Sequence, residues 1–236
     1  MQALTGRFDR LRFRTAGGLL FITHRTERYD YLQSVAMALE GGCRRIQLRM
    51  KDASPAEVEK TAVRAMQLCE PFGAELYIND HVEVCRNIRA RGVHLGKTDM
   101  PPGEARRMLG GDFIIGGTAN TFEDIRRLNG AGADYIGLGP FRFTTTKKNL
   151  SPVIGLSGYR QIMRQCREAG IRLPVFAIGG IEPDDIPGIL DAGLSGIALS
   201  SAILRAQNPV EETERMVGLI NSREPKTVYF FNSHII

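Results

Sequence analysis

Eight short apolar runs, each followed by a polar or glycine-containing loop and then a stretch of helical length, predict an α/β chain folded as one (β/α)8 TIM barrel. Two further observations support that class. Strands joined through helices must run parallel, because a crossover of that length returns to the same end of a sheet with right-handed sense. The chain's 236 residues also match the length of about 250 typical of such a barrel. A doubly wound open sheet is the runner-up. It would usually carry Gly-x-Gly-x-x-Gly after its first strand, where this chain reads Ile22-Thr23-His24-Arg25.

Taken in order, residues 1–18 are the least patterned, with Arg7, Arg10, Arg12 and Arg14 set among Phe8, Leu11 and Phe13, and are read as an N-terminal arm. The barrel is assigned to residues 19–221. Its strands are expected at 19–23, 45–48, 75–78, 92–95, 113–116, 133–138, 174–178 and 196–199. Helices are expected at 31–40, 55–69, 81–90, 103–109, 122–129, 156–168 and 184–191, with a last one at 209–220. Start signals support several of them, namely Ser54 before Pro55, Thr121 ahead of Asp124, and Pro183 with two aspartates behind it. Gly41, Gly92, Gly110, Gly130, Gly170 and Gly193 are read as stops. Residues 222–236 form a tail with one β-prone run, Thr227-Val228-Tyr229-Phe230-Phe231.

A net charge of +5 favours anionic partners, yet 31 basic residues are interspersed with 26 acidic ones and build no long basic run. Phosphorylated small molecules therefore fit better than nucleic acid. Cys43, Cys69, Cys85 and Cys166 have no metal-binding or Cys-x-x-Cys spacing, which points to buried thiols in a reducing cytoplasm. Neither a signal peptide nor an apolar run approaching roughly 18 residues is present, so no membrane association is expected. A homo-oligomer is left open.

In a barrel, all eight loops that follow the strands open on one face, so reactive groups should gather there. The sixth run ends at Gly139-Pro140 and is followed by Phe141-Arg142-Phe143-Thr144-Thr145-Thr146-Lys147-Lys148, a loop of hydroxyls and cations suited to phosphate. Asp80 and Asp99 follow neighbouring strands, about 4.8 Å apart, and could share Mg2+ or simply start helices. Arg49, Lys51 and Lys147 add positive charge to the same rim. Gly179-Gly180 and Ser200-Ser201, at the seventh and eighth strand ends, hint at a second phosphate cradle. His24, His81, His94 and His234 do not cluster, and His94 reads as a hydrogen-bonded interior residue. No nucleophile elbow surrounds any serine or cysteine.

Six motifs in order, Gln47-Leu48-Arg49-Met50-Lys51, Ile78-Asn79-Asp80, Gly92-Val93-His94-Leu95-Gly96 with Asp99, Gly137-Leu138-Gly139-Pro140, Thr144-Thr145-Thr146-Lys147 and Ile178-Gly179-Gly180-Ile181, resemble the thiamine phosphate synthase family. The resemblance spans residues 19–204. It implies coupling of 4-amino-5-hydroxymethyl-2-methylpyrimidine diphosphate with a thiazole phosphate, giving thiamine phosphate and pyrophosphate with Mg2+ as cofactor. Residue by residue, it implies that Gln47, Leu48, Arg49, Met50, Lys51, Asn79, Thr118 and Lys147 meet the pyrimidine diphosphate. Arg49, Lys51 and Lys147 would act as its catalytic cations. Asp80 and Asp99 would hold Mg2+, and Thr144, Thr145, Thr146, Gly180, Ser200 and Ser201 would meet the thiazole phosphate. The chain departs from the pattern with Met50 for a common glutamate, Thr118 for a usual serine, and Ser200 for an aliphatic residue. A thiazole tautomerase on the same barrel, or a non-catalytic phosphate-metabolite-binding barrel, are the competing readings.

Overall fold

A computed structural model describes residues 17–143 and 152–222. The arm before residue 17, Thr144, Thr145, Thr146 and Lys147, and the tail beyond residue 222 lie outside the described residues. Eight parallel strands close into a barrel in chain order: β1 (Gly18–Ile22), β2 (Arg45–Leu48), β3 (Glu75–Asn79), β4 (Gly92–Leu95), β5 (Ile114–Ala119), β6 (Tyr135–Leu138), β7 (Val175–Ile178) and β8 (Gly196–Leu199). Around them, among the described residues, lie α1 (Tyr31–Glu40), α2 (Pro55–Cys69), α3 (Val82–Ile88), α4 (Pro102–Leu109), α5 (Phe122–Gly130), α6 (Gly155–Glu168), α7 (Ile186–Asp191), α8 (Ser201–Leu204) and α9 (Pro209–Asn221).

Local chemistry sets the helix starts. Asp30, Ser54 and Thr121 each accept a bond from the third helical N–H, and Gln33, Glu57 and Asp124 return the bond to the cap. Each such cap is worth about 1 kcal/mol. The sequence places α3 over 81–90, but the helix stops at Ile88, where Arg89 turns left-handed at φ 55°. Gly92 is not a helix stop. It opens β4, where a Cβ would lie 2.1 Å from the Ile114 carbonyl oxygen.

Strand alternation divides the apolar residues into two cores. Leu20, Ile22, Tyr77, Ile114, Tyr135, Phe176 and Ala198 fill the barrel, with Tyr135 edge-on to Tyr77 and to Phe176 at centroid distances of 6.1 and 5.8 Å. The intervening positions, such as Phe21, Ile46, Leu48, Ile78, Val93, Ile136 and Ile197, pack outward against the helices. Cys43, Cys69, Cys85 and Cys166 are free thiols, all of them buried.

Two strands run further than their apolar runs. β3 includes Asn79, and β5 continues through Thr118 and Ala119, which pair with Gly137 and Leu138. Gly117 reads as the start of a loop in sequence but lies inside β5, and Gly116 before it is a slot for an aromatic ring. A Cβ there would sit 2.1 Å from Cζ of Tyr135. The ring closes where β1 pairs with β8, Gly18 opposite Gly196. Any Cβ on Gly196 would lie 2.4 Å from the Gly18 carbonyl oxygen and 2.6 Å from the Phe176 ring. No helix among the described residues is long and apolar enough to cross a membrane.

Gly116→Ala should therefore cost about 1–3 kcal/mol or more in urea unfolding, because the added methyl must displace Tyr135. Gly130→Ala, at a site with nothing within 4 Å of the added carbon, should be neutral or slightly stabilising.

Candidate active site

Parity along the strands decides which side chains reach the mouth. Gln47 on β2 and Asn79 at the end of β3 lie on the inner face and touch, Gln47 Nε2 donating to Asn79 Oδ1 at 2.7 Å. Both are buried, and Gln47 Oε1 has no hydrogen-bond partner among the described residues. Leu48, one residue on, points outward into the helix-facing core, and Met50 packs against that same core. Any part these two take at the mouth is through their backbone. Thr118 is also on the inner face, its hydroxyl 3.0 Å from His94 Nε2, while Nδ1 of the same ring lies 3.1 Å from the Tyr135 hydroxyl. His94 is thus an interior residue held on both sides.

Arg49 and Lys51 follow β2. The Arg49 N–H donates to Thr23 Oγ1 at 2.9 Å, which fastens the start of this loop to the end of β1. Partial burial lowers the Arg49 pKa, with Asp80, Tyr31 and Asp52 pulling the other way. Lys51 Nζ lies 3.3 Å from Asp80 Oδ2.

Asp80 and Asp99 do meet, and neither caps a helix. The residue at the start of α3 is His81 and that of α4 is Pro101, each without a side-chain cap. Asp80 adopts φ 67°, a left-handed turn costing about 1–2 kcal/mol outside glycine, though aspartate tolerates it better than most residues. Asp99 folds back on its own loop, Oδ2 accepting the Gly96 N–H at 2.6 Å. Burial and then the hydrogen-bonded Asp99 carboxylate push the Asp80 carboxyl up to about 6, against the pull of Lys51. Burial raises Asp99 too, but the bond from Asp80, the Gly96 N–H and the charges of Lys51 and His94 hold it below the ordinary carboxylate range. Of the two, Asp80 is therefore the carboxyl that takes up a proton more readily. Among the described residues no group of three or more His, Cys, Asp or Glu is placed to hold a metal ion. This pair is what the mouth offers a hard cation.

On the opposite side, Gly179 and Gly180 turn left-handed at φ 94° and 68° after β7. Ser200 precedes α8, its hydroxyl oxygen buried without a partner among the described residues, and Ser201 is the first residue of that helix. Neighbouring loops also hold one another. Lys97 pairs with Asp124 at 2.7 Å, the Asn120 amide donates to the Gly139 carbonyl, and Arg142 donates to the Gly180 carbonyl at 2.6 Å. Arg28 reaches the Ala206 carbonyl at 3.4 Å. Sequence reasoning missed Thr23, Asp124, Arg142 and Asp185. Only Thr23 carried a signal, as a hydroxyl closing an apolar strand.

Fold and mouth together define a (β/α)8 barrel whose charged and polar residues gather at the C-terminal ends of its strands. Residues 19–203 match the family model described as thiamine monophosphate synthase. A thiamine-phosphate synthase of Bacteroides fragilis is 63% identical over 201 residues, covering 85% of this chain and 98% of that protein. Another, of Desulfitobacterium hafniense, is 35% identical over 190 residues, covering 80% and 89%. The solved thiamine phosphate pyrophosphorylase of Pyrococcus furiosus superposes with a TM-score of 0.78 at 33% identity, covering 90% of this chain and 98% of that one. The chain belongs to the thiamine monophosphate synthase family.

The raised Asp80 carboxyl has a measurable consequence. The folded Asp80 carboxyl keeps its proton to about pH 6, whereas the unfolded one releases it near 3.8. Across that window the native state binds more protons, so its stability falls as pH rises. Asp80→Asn stays neutral throughout. Thermal melts in EDTA should show Asp80→Asn more stable than the parent at neutral pH, with the gap closing by about pH 4. A gap independent of pH would mean that folding does not raise the Asp80 carboxyl.

Proposed function

We propose that the chain joins 4-amino-5-hydroxymethyl-2-methylpyrimidine diphosphate to a thiazole phosphate, releasing pyrophosphate and forming thiamine phosphate. The observation that carries this reading is the carboxylate pair of Asp80 and Asp99 with Lys51 at 3.3 Å, beside Arg49 and over Gln47 and Asn79. A thiazole-phosphate isomerase on the same barrel would have no use for it, and a simple phosphate binder would need only one cradle.

Gln47 and Asn79 suit the pyrimidine. A buried acceptor left unpaired costs about 1–3 kcal/mol, so the bare Gln47 Oε1 favours a ligand bearing an N–H, as an aminopyrimidine does. Arg49 can grip two phosphate oxygens and Lys51 supplies a point charge. By the resemblance Lys147 is a third cation. Thr118, steadied by His94, offers a hydroxyl to the diphosphate.

Asp80 and Asp99 would hold Mg2+. Two carboxylates suit an ion that keeps several waters and completes its shell with substrate phosphate oxygens, and a cation between them removes the repulsion that raises Asp80. When bound, the ion neutralises charge developing on the departing diphosphate. The carbon–oxygen bond to the diphosphate breaks first, and the thiazole nitrogen then forms its bond to the resulting pyrimidine-methyl cation. That sequence asks little of a general base and much of fixed positive charge. Gly180, Ser200 and Ser201, with Thr144, Thr145 and Thr146 by the resemblance, would seat the thiazole phosphate. The unpartnered Ser200 hydroxyl supports that placement. Holding both substrates in one mouth can lower the barrier by as much as about 7–11 kcal/mol.

Purified protein supplied with Mg2+ and both substrates should release pyrophosphate, followed by a coupled phosphate assay. Asp99→Asn should slow that release by about two orders of magnitude with the melting temperature retained. Silence from the parent protein would refute the reaction; full activity in the variant would refute the metal site.

A further inference from the structure

Two glycines end β7, and with no side chains of their own they do nothing to fix their peptide planes. Ordering such backbone costs about 1–2 kcal/mol per residue, and glycine loses more freedom than any other residue. The chain leaving β6 supplies the constraint. The N–H groups of Phe141 and Arg142 donate to the carbonyls of Ile178 and Gly179, both at 2.9 Å, and carry the β6–β7 ladder past the strand ends. Arg142 Nη1 then donates to the Gly180 carbonyl at 2.6 Å, while its two terminal nitrogens span both carboxylate oxygens of Asp185 at 2.9 Å each. Asp185 Oδ2 also accepts the Glu182 N–H at 2.9 Å, so the carboxylate that receives the fork is anchored in the loop following Gly180. The approach leaves no room for a side chain at Gly180. A Cβ would stand 2.9 Å from Arg142 Cβ and 3.0 Å from the Phe143 carbonyl oxygen. In a trans peptide the N–H points opposite to the C=O, so gripping the Gly180 oxygen also sets the direction of the Ile181 N–H.

We infer that Arg142 is a positioning residue for the phosphate of the second substrate, fixing the Gly179-Gly180 turn through the Gly180 carbonyl, with Asp185 orienting the guanidinium. This rests on the reading that the turn, with Ser200 and Ser201, receives a thiazole phosphate. Lysine is no replacement, because a single ammonium lacks the planar fork that reaches a carbonyl and both carboxylate oxygens together.

The test is steady-state kinetics and calorimetric binding of the thiazole phosphate to Arg142→Ala, Arg142→Lys, Asp185→Asn and the Arg142→Ala/Asp185→Asn double variant. Each single change should raise the KM and Kd for the thiazole phosphate about tenfold, and the double variant no further, because the pair acts as one unit. The KM for the pyrimidine diphosphate and the kcat should stay near the parent values. Unchanged thiazole phosphate affinity, or equal losses for both substrates, would overturn the inference and leave Arg142 a structural tie. A parent protein that binds the thiazole phosphate but releases no pyrophosphate refutes the proposed reaction, while the calorimetric comparison still decides the role of Arg142. A parent that does not bind it at all refutes both.

Discussion

Pairing of β1 with β8 is the constraint on which everything else rests, because it turns a row of strands into a ring with one mouth. An open sheet would leave the loops after β2 and β8 at opposite edges. Closure demands that two backbones and the Phe176 ring meet at Gly196, where no larger residue fits. Parallel strands buried on both faces then need apolar residues on each, which the helices cover outside and Tyr77, Tyr135 and Phe176 cover within. The polar inner positions left over, Gln47, Asn79, His94 and Thr118, fall together near the top of the barrel.

At the mouth the protein holds charge that would be more stable dispersed. Two carboxylates within hydrogen-bonding reach repel, and burial together with that repulsion makes Asp80 harder to ionise than an ordinary aspartate. Lys51 and the Gly96 N–H ease the strain without removing it. The fold stabilises this arrangement with a large core remote from the reacting groups.

Most of the barrel was legible because its signals are local. Apolar runs, capping residues and loop glycines each act within a few positions, and all eight strands lie where those runs are. What escaped was governed by neighbours in space. Gly116 reads as an ordinary strand residue until Tyr135 is seen to occupy its missing side chain, Gly117 reads as loop although β5 runs through it, and Arg89 ends a helix with no glycine to announce it. At the site, strand parity draws Gln47 and Asn79 inward and sends Leu48 out, a distinction that a motif read as a block of five residues does not make. Arg142 and Asp185 lie 43 positions apart, and no pattern in the chain links them.

The bonds between neighbouring loops bear on how such a barrel can change. Asn120 holds a carbonyl of the sixth loop, Arg142 one of the seventh, and Arg28 one of the eighth. Each of the three donor loops therefore satisfies backbone belonging to its neighbour. Grafting one loop from a relative strips a carbonyl next door of its donor, so variation at this rim must travel in adjacent pairs, and the modularity usually credited to barrel loops stops where those carbonyls are shared.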